Sequence, residues 1–212
     1  MEKHYLNLMQ FFEGYVRNYR RMNFSHQHNL SMFTQREIDH FANLGEMLGF
    51  EAYIEDGKMD NLKGFSRPMD LSWWKWDARE SQEDYHYLAL HLERENVPSK
   101  DIETIEKLFS ETVEGYTPHN VIGIQFVESV ERILVLNELI KQKNEVQNSN
   151  VLMIYRYEDP QQKIQRVDAY YFDSTYQECR KAFCLIDEWH YWFMVFEEEH
   201  SSLEFSKRSK LL

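Results

Sequence analysis

The stretch YHYLALHLEREN, residues 85–96, limits the folds open to this chain more than any other segment, because it suits two kinds of secondary structure. As a strand, it places three leucines on one face and three titratable side chains, those of His91, Glu93 and Glu95, on the other. The strand interpretation therefore predicts a cluster of ionisable groups at the end of an apolar run.

The helical interpretation of the same stretch rests on local signals. Ser81 and Asp84 have the spacing of a capping box, apolar residues then recur at helical spacing, and Pro98 would end the helix. On local signals alone the two interpretations are nearly balanced.

Two helices and a hairpin are predicted before this stretch. Residues 3–21 carry an apolar stripe at spacings of three and four, which is typical of an amphipathic helix. A second helix is expected to begin at a capping box of Thr34 and Glu37 and to end at Gly49. An Asp-Gly turn then joins a short strand to a tryptophan-rich strand within residues 68–77.

After the ambiguous stretch, helices and strands alternate. The signals predict a helix from Pro98 to about Ser110, a strand over 120–129, a helix over 130–146, a hairpin over 150–172 and a last aromatic strand over 184–199. This order predicts an α/β fold, and the length of the chain requires no more than one domain, residues 1–212.

The charge of the chain limits its partners. With 24 Lys and Arg against 36 Asp and Glu, the net charge is −12, which opposes a broad grip on a phosphate backbone. A nucleic-acid partner would need a local basic patch, and its binding should be strongly sensitive to salt. Cys179 and Cys184 are too few for a disulfide framework or a zinc site.

The sequence predicts a cytoplasmic protein without a membrane partner, because no apolar run reaches the length of a membrane span and charges interrupt the N-terminal segment. Lys75, Arg79 and Arg94 are expected to contact nucleic acid. Further basic clusters are more typical of solvated surface charge: Arg17, Arg20 and Arg21, Lys141 and Lys143, and residues 206–210.

Carboxylates on two neighbouring strands suggest a metal site. Asp70 lies in the tryptophan-rich strand, and Glu93 lies in the strand that would pair with it. Mg²⁺ takes oxygen ligands, usually one or two carboxylates with waters in the other positions. Asp70 and Glu93 would make a minimal pair, and Glu95, on the same face as Glu93, could bind metal or orient an attacking water.

RPMDLSW (67–73) and LALHLEREN (88–96), after a helix with a glutamate and a hairpin, resemble the PD-(D/E)XK nuclease superfamily in its Glu-x-Glu variant. The resemblance covers roughly residues 34–157. It implies a restriction endonuclease-like core, with a central mixed β-sheet flanked by helices. The N-terminal helix, 3–21, and the C-terminal strands, 151–199, would be added to that core.

The resemblance also implies roles for five residues and a Mg²⁺ or Mn²⁺ cofactor. The aspartate of the family corresponds to Asp70 and its first glutamate to Glu93, both as catalytic metal ligands. The third motif position, most often lysine, is Glu95 here. The helix glutamate that binds metal corresponds to Glu46, and a catalytic lysine sometimes supplied by the following helix corresponds to Lys107.

Three functions are compatible with these features. The leading hypothesis is a metal-dependent, nuclease-like enzyme that hydrolyses phosphodiester bonds of nucleic acid. Glu95 in place of lysine, together with the acidic charge, also suits an inactive nuclease-fold protein that binds a protein partner or acts as a scaffold. A third hypothesis is an α/β binding module unrelated to nucleases. A homodimer is compatible with each of them.

Histidines and tryptophans outside this pattern favour structural roles. His26 and His28 lie together in a loop, where solvated side chains are more common than metal ligands. Trp73, Trp74 and Trp76 suggest base stacking. In a strand, however, Trp73 would point away from the other two, so packing is the expected role.

Overall fold

The strands form one mixed sheet in which their spatial order equals their order along the chain. The structure is a computed structural model and describes residues 3–26, 29–57, 68–77, 79, 85–173 and 176–200. Within those residues the sheet has eight strands. Their bounds are Glu51–Asp56 (β1), Met69–Lys75 (β2), Tyr87–Glu95 (β3), Asn120–Phe126 (β4), Asn150–Glu158 (β5), Gln165–Phe172 (β6), Gln177–Ile186 (β7) and Trp192–Phe196 (β8).

Helices cover both faces of this sheet. Their bounds are Leu8–Asn18 (α1), Leu30–Met47 (α2), Asp101–Leu108 (α3), Val130–Gln147 (α4) and Glu197–His200 (α5). Side chains of α1 and α2 share one apolar cluster with one face of the sheet, and those of α3 and α4 share a second cluster with the other face. Among the described residues, no helix is long and apolar enough to cross a membrane. The α/β prediction is confirmed as a mixed sheet flanked by helices.

The direction of the strands changes along the sheet. Strands β1, β2 and β3 are antiparallel neighbours, β3, β4 and β5 are parallel, and β5 to β8 are antiparallel again. Parallel neighbours need a long crossover, which α3 and α4 supply. The end of β3, the start of β2 and the start of α3 therefore meet at one edge of the sheet.

The strand interpretation of residues 85–96 is confirmed by β3. This strand lies between β2 and β4, and eight of its nine residues are buried, with Glu95 partly exposed. A surface helix would expose one side, whereas β3 has strands on both edges and helices over both faces. Its leucines and its polar side chains are therefore buried together.

Two helix boundaries differ from the prediction. Asn29 caps α2 by accepting a hydrogen bond from a main-chain N–H of the first turn (2.9 Å), and Thr34 lies inside the helix, where its hydroxyl donates to a carbonyl one turn earlier. The predicted capping box of Thr34 and Glu37 is therefore wrong. Gly49, with a φ of 83°, follows the end of the helix as predicted. The predicted helix over 3–21 shortens to α1 and a 3-10 turn at Tyr19–Met22.

The C-terminal aromatic segment forms two strands, so the prediction of a single strand over 184–199 is wrong. The chain reverses at Asp187, whose carboxylate accepts hydrogen bonds from the N–H groups of Trp189 and Tyr191 (both 2.9 Å). His190 adopts a φ of 64° in this turn. Because neither glycine nor proline marks the reversal, the usual sequence signals of a hairpin are missing.

Two of the three tryptophans in and just after β2 pack as predicted, and the third does not. Trp73 and Trp74 are fully buried, whereas Trp76, just beyond the strand, is 44% exposed. Trp73 belongs to the cluster under α1 and α2, and Trp74 packs in a separate small cluster. Two of the three side chains are therefore unavailable for stacking on a base.

Candidate active site

Two carboxylates face each other across strands β2 and β3. The register pairs Leu71 with Leu92, so Asp70 and Glu93 are the next residues along the two strands. The Asp70 N–H donates to Glu93 Oε1 (3.3 Å), and the Arg94 N–H donates to Asp70 Oδ2 (2.7 Å). The structure thus brings together the two residues that the sequence assigns as metal ligands.

Helix α3 adds a lysine to this pair. Lys107 Nζ donates to Glu93 Oε2 and to the carbonyl oxygen of Pro68 (3.3 Å). His91 Nε2 lies 2.8 Å from the other oxygen of Glu93. The side chains of His91, Glu93 and Lys107 are all more than nine-tenths buried. The Glu93 carboxylate is therefore held at both oxygens by basic groups.

An open cavity of about 340 Å³ lies against these side chains. In the part of the chain that the structure describes, its lining has two ammonium groups and five carboxylates, those of Lys100, Lys107, Glu55, Asp70, Glu93, Glu95 and Glu103. This excess of negative charge favours cations over anions at this edge of the sheet.

The pKa of Asp70 is raised to about 6. Burial of the carboxylate is the largest cause, and repulsion by the Glu93 carboxylate adds to it. The Arg94 N–H, Lys107 and His91 stabilise the charged form of Asp70, but they do not cancel these effects. Asp70 therefore titrates near neutral pH, which is common for functional carboxylates in a cavity.

Asp70 and Glu93 are the residues that could hold a metal ion. Within the described ranges, no group of three or more His, Cys, Asp or Glu side chains could do so. Mg²⁺, however, often takes only one or two carboxylates and keeps several waters. A divalent cation between Asp70 and Glu93 would also relieve the repulsion that raises the pKa of Asp70. This donor set fits a hard, largely hydrated cation.

The two other predicted glutamates occupy different positions. Glu95 lines the cavity, and its Oε1 accepts hydrogen bonds from the N–H groups of Asn96 (2.7 Å) and Val97 (2.8 Å). Glu46 is exposed near the end of α2 and is not among the residues that line the cavity. The structure therefore brings Glu95 to Asp70 and Glu93 but does not bring Glu46 there.

The residues predicted to contact nucleic acid do not form a patch at the cavity. The Arg94 side chain is fully buried and pairs with Glu37 on the opposite face of the sheet, so its guanidinium cannot reach a phosphate as folded. Lys75 lies at the far end of β2 from Asp70, and Arg79, beyond that strand, pairs with Asp77.

Other basic clusters are partly neutralised by carboxylates. The ion pairs are Arg17–Glu199, Arg20–Asp187, Lys141–Glu138 and Lys143–Glu106. The basic tail, residues 206–210, and His28 lie outside the described residues. His26 is exposed, and its Nδ1 lies 3.1 Å from the carbonyl oxygen of His190.

Glu37 is a buried carboxylate of α2 that the sequence interpretation assigned to a helix cap. It is fully buried and binds Arg94 Nε (2.6 Å), Arg156 Nη1 (2.8 Å) and the Tyr15 hydroxyl (2.5 Å). Its spacing was the available signal, because Phe41 lies four residues later on the same apolar face of the helix. A glutamate within such a stripe indicates a buried partner of opposite charge.

Comparisons with known proteins give little further information. No family model matches the sequence, and no curated protein matches it. One similar solved structure is the central domain of yeast acetyl-CoA carboxylase, at 8% identity and a TM-score of 0.38. The match covers 74% of this chain and 25% of that chain. At this TM-score the similarity assigns neither a family nor a function.

Proposed function

We propose that this protein is a metal-dependent, nuclease-like enzyme that hydrolyses phosphodiester bonds at the cavity beside β2, β3 and α3. The observation that carries the proposal is the contact of Asp70 and Glu93 with each other and of Glu93 with Lys107, against an open cavity. Two carboxylates on neighbouring strands and a nearby lysine are the side chains that the PD-(D/E)XK resemblance implies.

A restriction endonuclease-like core is part of the same proposal. The order of α2, the antiparallel strands β1 to β3, α3 and the parallel strand β4 supports it, because the resemblance implies a helix, three strands, a helix and a strand. Strands β6 to β8 would be additions at the edge of this core.

Asp70 and Glu93 would hold Mg²⁺ or Mn²⁺. When bound, such a cation polarises the phosphate and lowers the pKa of a coordinated water. The chain itself fixes both carboxylates, since the Arg94 N–H holds Asp70 while Lys107 and His91 hold Glu93. Such contacts orient metal ligands before the metal binds.

Lys107 would supply the fixed positive charge of the site. The third motif position on β3 carries Glu95 instead of lysine, but the Lys107 ammonium reaches Glu93 from α3. Beside a bound phosphodiester, this ammonium would stabilise the negative charge that develops on the phosphate oxygens. The Glu95 carboxylate, which also lines the cavity, would accept a hydrogen bond from the attacking water.

One observation favours a second candidate function, an inactive nuclease-fold protein that binds a protein partner. Both oxygens of Glu93 already contact basic groups, Lys107 and His91, so the carboxylate is satisfied without a metal. In that case the same ionic cluster would only join α3 to the sheet.

Thermal melting with and without Mn²⁺ tests the metal site. Mn²⁺ at about 100 times its dissociation constant would stabilise the folded chain by about 2.7 kcal/mol, which corresponds to a rise in Tm of roughly 5–10 °C. Asp70→Asn and Glu93→Gln each remove a ligand charge and should abolish this rise. Glu46→Gln, which changes an exposed glutamate away from the cavity, should retain it.

Cleavage assays with plasmid DNA, single-stranded DNA and RNA then separate the two functions. Metal-dependent cleavage that Asp70→Asn and Glu93→Gln abolish supports the enzyme. A Tm that responds to Mn²⁺ without cleavage of these substrates is compatible with the protein-binding role but contradicts the enzyme. A wild-type Tm that ignores Mn²⁺, or variants that respond as the wild type does, would overturn the metal site and favour the protein-binding role.

A further inference from the structure

A buried ionic cluster lies on the opposite face of the sheet from the candidate site. Glu37 of α2 joins Arg94 of β3 to Arg156 of β5, and the Tyr15 hydroxyl of α1 completes its contacts. Burial alone would raise the pKa of Glu37, but Arg94 and Arg156 hold it below its ordinary value. The cluster therefore contains two guanidinium groups and one charged carboxylate.

Arg94 connects this cluster to the candidate site through the backbone. Its side chain is held by Glu37 and by the Asn96 side-chain oxygen, and Asn96 in turn donates to the Thr34 hydroxyl of α2 (2.7 Å). Its main-chain N–H donates to Asp70 Oδ2 (2.7 Å). Helix α2 thus holds the end of β3 from one face while the Arg94 N–H orients a carboxylate of the site.

A contribution to the stability of the fold does not by itself explain why the chain buries such a cluster. Buried ion pairs pay a large desolvation penalty, and well-packed apolar residues of the same volume are often equally or more stabilising. A role in geometry accounts for the cluster better, because partners that orient a metal ligand typically change metal affinity by about 10- to 100-fold when they are removed.

We propose that Glu37 is a positioning residue of the candidate site, which acts through Arg94 to fix the Asp70 carboxylate. This inference rests on the proposed metal-dependent function. Glu37 lies on the far face of the sheet and would contact neither the metal nor the substrate. Its effect is transmitted by the side chain and then by the main-chain N–H of Arg94.

Two variants break the link from its two ends. Glu37→Gln keeps the shape of the side chain but leaves two buried guanidinium groups without a carboxylate, so it risks unfolding. Arg94→Met is the second variant, because it leaves Glu37 paired with Arg156 and keeps the main-chain N–H of position 94. Tyr15→Phe is the matched control, since it removes a hydrogen bond to Glu37 without touching Arg94.

The first measurement is amide hydrogen exchange by NMR in the metal-free proteins. Glu37→Gln and Arg94→Met should lower the protection of the amide at position 94 by about 10-fold relative to the other amides of β3, because its hydrogen bond to Asp70 weakens. Tyr15→Phe should leave this ratio unchanged. A merely structural role would lower the protection of all β3 amides together.

The second measurement is the affinity for Mn²⁺, followed by the electron paramagnetic resonance of free Mn²⁺. The two link variants should bind about 10-fold more weakly than the wild type, and Tyr15→Phe should bind equally well. Wild-type exchange ratios and wild-type affinity in Arg94→Met would overturn the proposal. If the wild type binds no Mn²⁺, the metal-dependent function fails, and the exchange ratio alone decides whether Glu37 positions Asp70.

Discussion

Asp70 destabilises the folded chain at neutral pH, because its charged carboxylate is buried and lies beside the Glu93 carboxylate. Its pKa is raised from an ordinary value of 3.8 to about 6, first by burial and then by Glu93. The folded chain therefore binds this proton more tightly than the unfolded chain does. The resulting contribution to stability is fully present below about pH 4 and is lost as the pH rises through about 6.

Asp70→Asn removes this titration while nearly keeping the shape of the side chain. In the metal-free protein we expect the free energy of unfolding to rise by about 1–3 kcal/mol at about pH 7.5 and to change little at about pH 4. Urea unfolding at the two pH values measures the difference. Glu46→Gln, at an exposed glutamate, should change neither value. A loss of stability in Asp70→Asn at pH 7.5 would show that burial and repulsion by Glu93 do not outweigh the contacts that stabilise the charged form of Asp70.

Contacts between single residues are most predictable where side chains of the same chemical type lie on strands that are expected to pair. Alternation places carboxylates of two paired strands at one edge of the sheet, so the sequence predicts the proximity of Asp70, Glu93 and Glu95. Placing Lys107 there depended on family resemblance, since its spacing on α3 is that of an ordinary helical charge. The buried role of Glu37 is not predictable from its capping motif, because a Ser/Thr-x-x-Glu pattern has a local explanation, whereas its partner Arg156 lies 119 residues away.

Whole elements were predictable where local and tertiary signals agreed. The helices and strands from Pro98 to Phe172 follow hydrophobic periodicity, and their order along the chain is observed. For β3 the local signals favour a helix and a strand about equally. Its place between β2 and β4 decides for the strand. The hairpin of β7 and β8 could not be predicted, because Asp187 and His190 build its turn without glycine or proline.

The packing of α2 on β2 depends on one glycine. A Cβ atom at Gly45 would lie 2.5 Å from the Trp73 ring, so any larger residue must displace a fully buried indole. Gly45→Ala should therefore lower the free energy of unfolding by about 1–3 kcal/mol, although alanine favours helices. Thermal or urea unfolding measures this loss.

Gly14 of α1 is the matched control for this substitution. A Cβ atom there meets no atom within 4 Å beyond its chain neighbours and the backbone of its own helix, so Gly14→Ala should raise stability by up to about 1 kcal/mol through helix propensity alone. If Gly45→Ala were as stable as Gly14→Ala, α2 would not pack on Trp73 as closely as the structure has it.

Across the whole molecule, the charge opposes the substrate of the proposed reaction. The chain carries a net charge of −12, and among the described residues that line the candidate site the carboxylates outnumber the ammonium groups. The electrostatic field of the protein would therefore attract a polyanion little. The cation held by Asp70 and Glu93 would supply much of the attraction. Among the described residues, Lys100 and Lys107 are the two lysines that line the cavity.

Binding of a short labelled DNA measured over a salt series tests this distribution of charge. Ca²⁺, which takes the same oxygen ligands, would be held constant. Two lysines predict a slope of log K against log salt of about −2, so the affinity should fall about 10-fold between about 50 and 200 mM salt. This dependence on salt is weaker than the strong sensitivity expected from the sequence, because among the described residues the expected basic patch is not found at the cavity. Lys100→Gln should reduce the slope by about 1, whereas Lys75→Gln, at the other end of β2, should not change it. A much steeper slope, or an effect of Lys75→Gln alone, would place the nucleic acid on a basic surface away from Asp70 and Glu93.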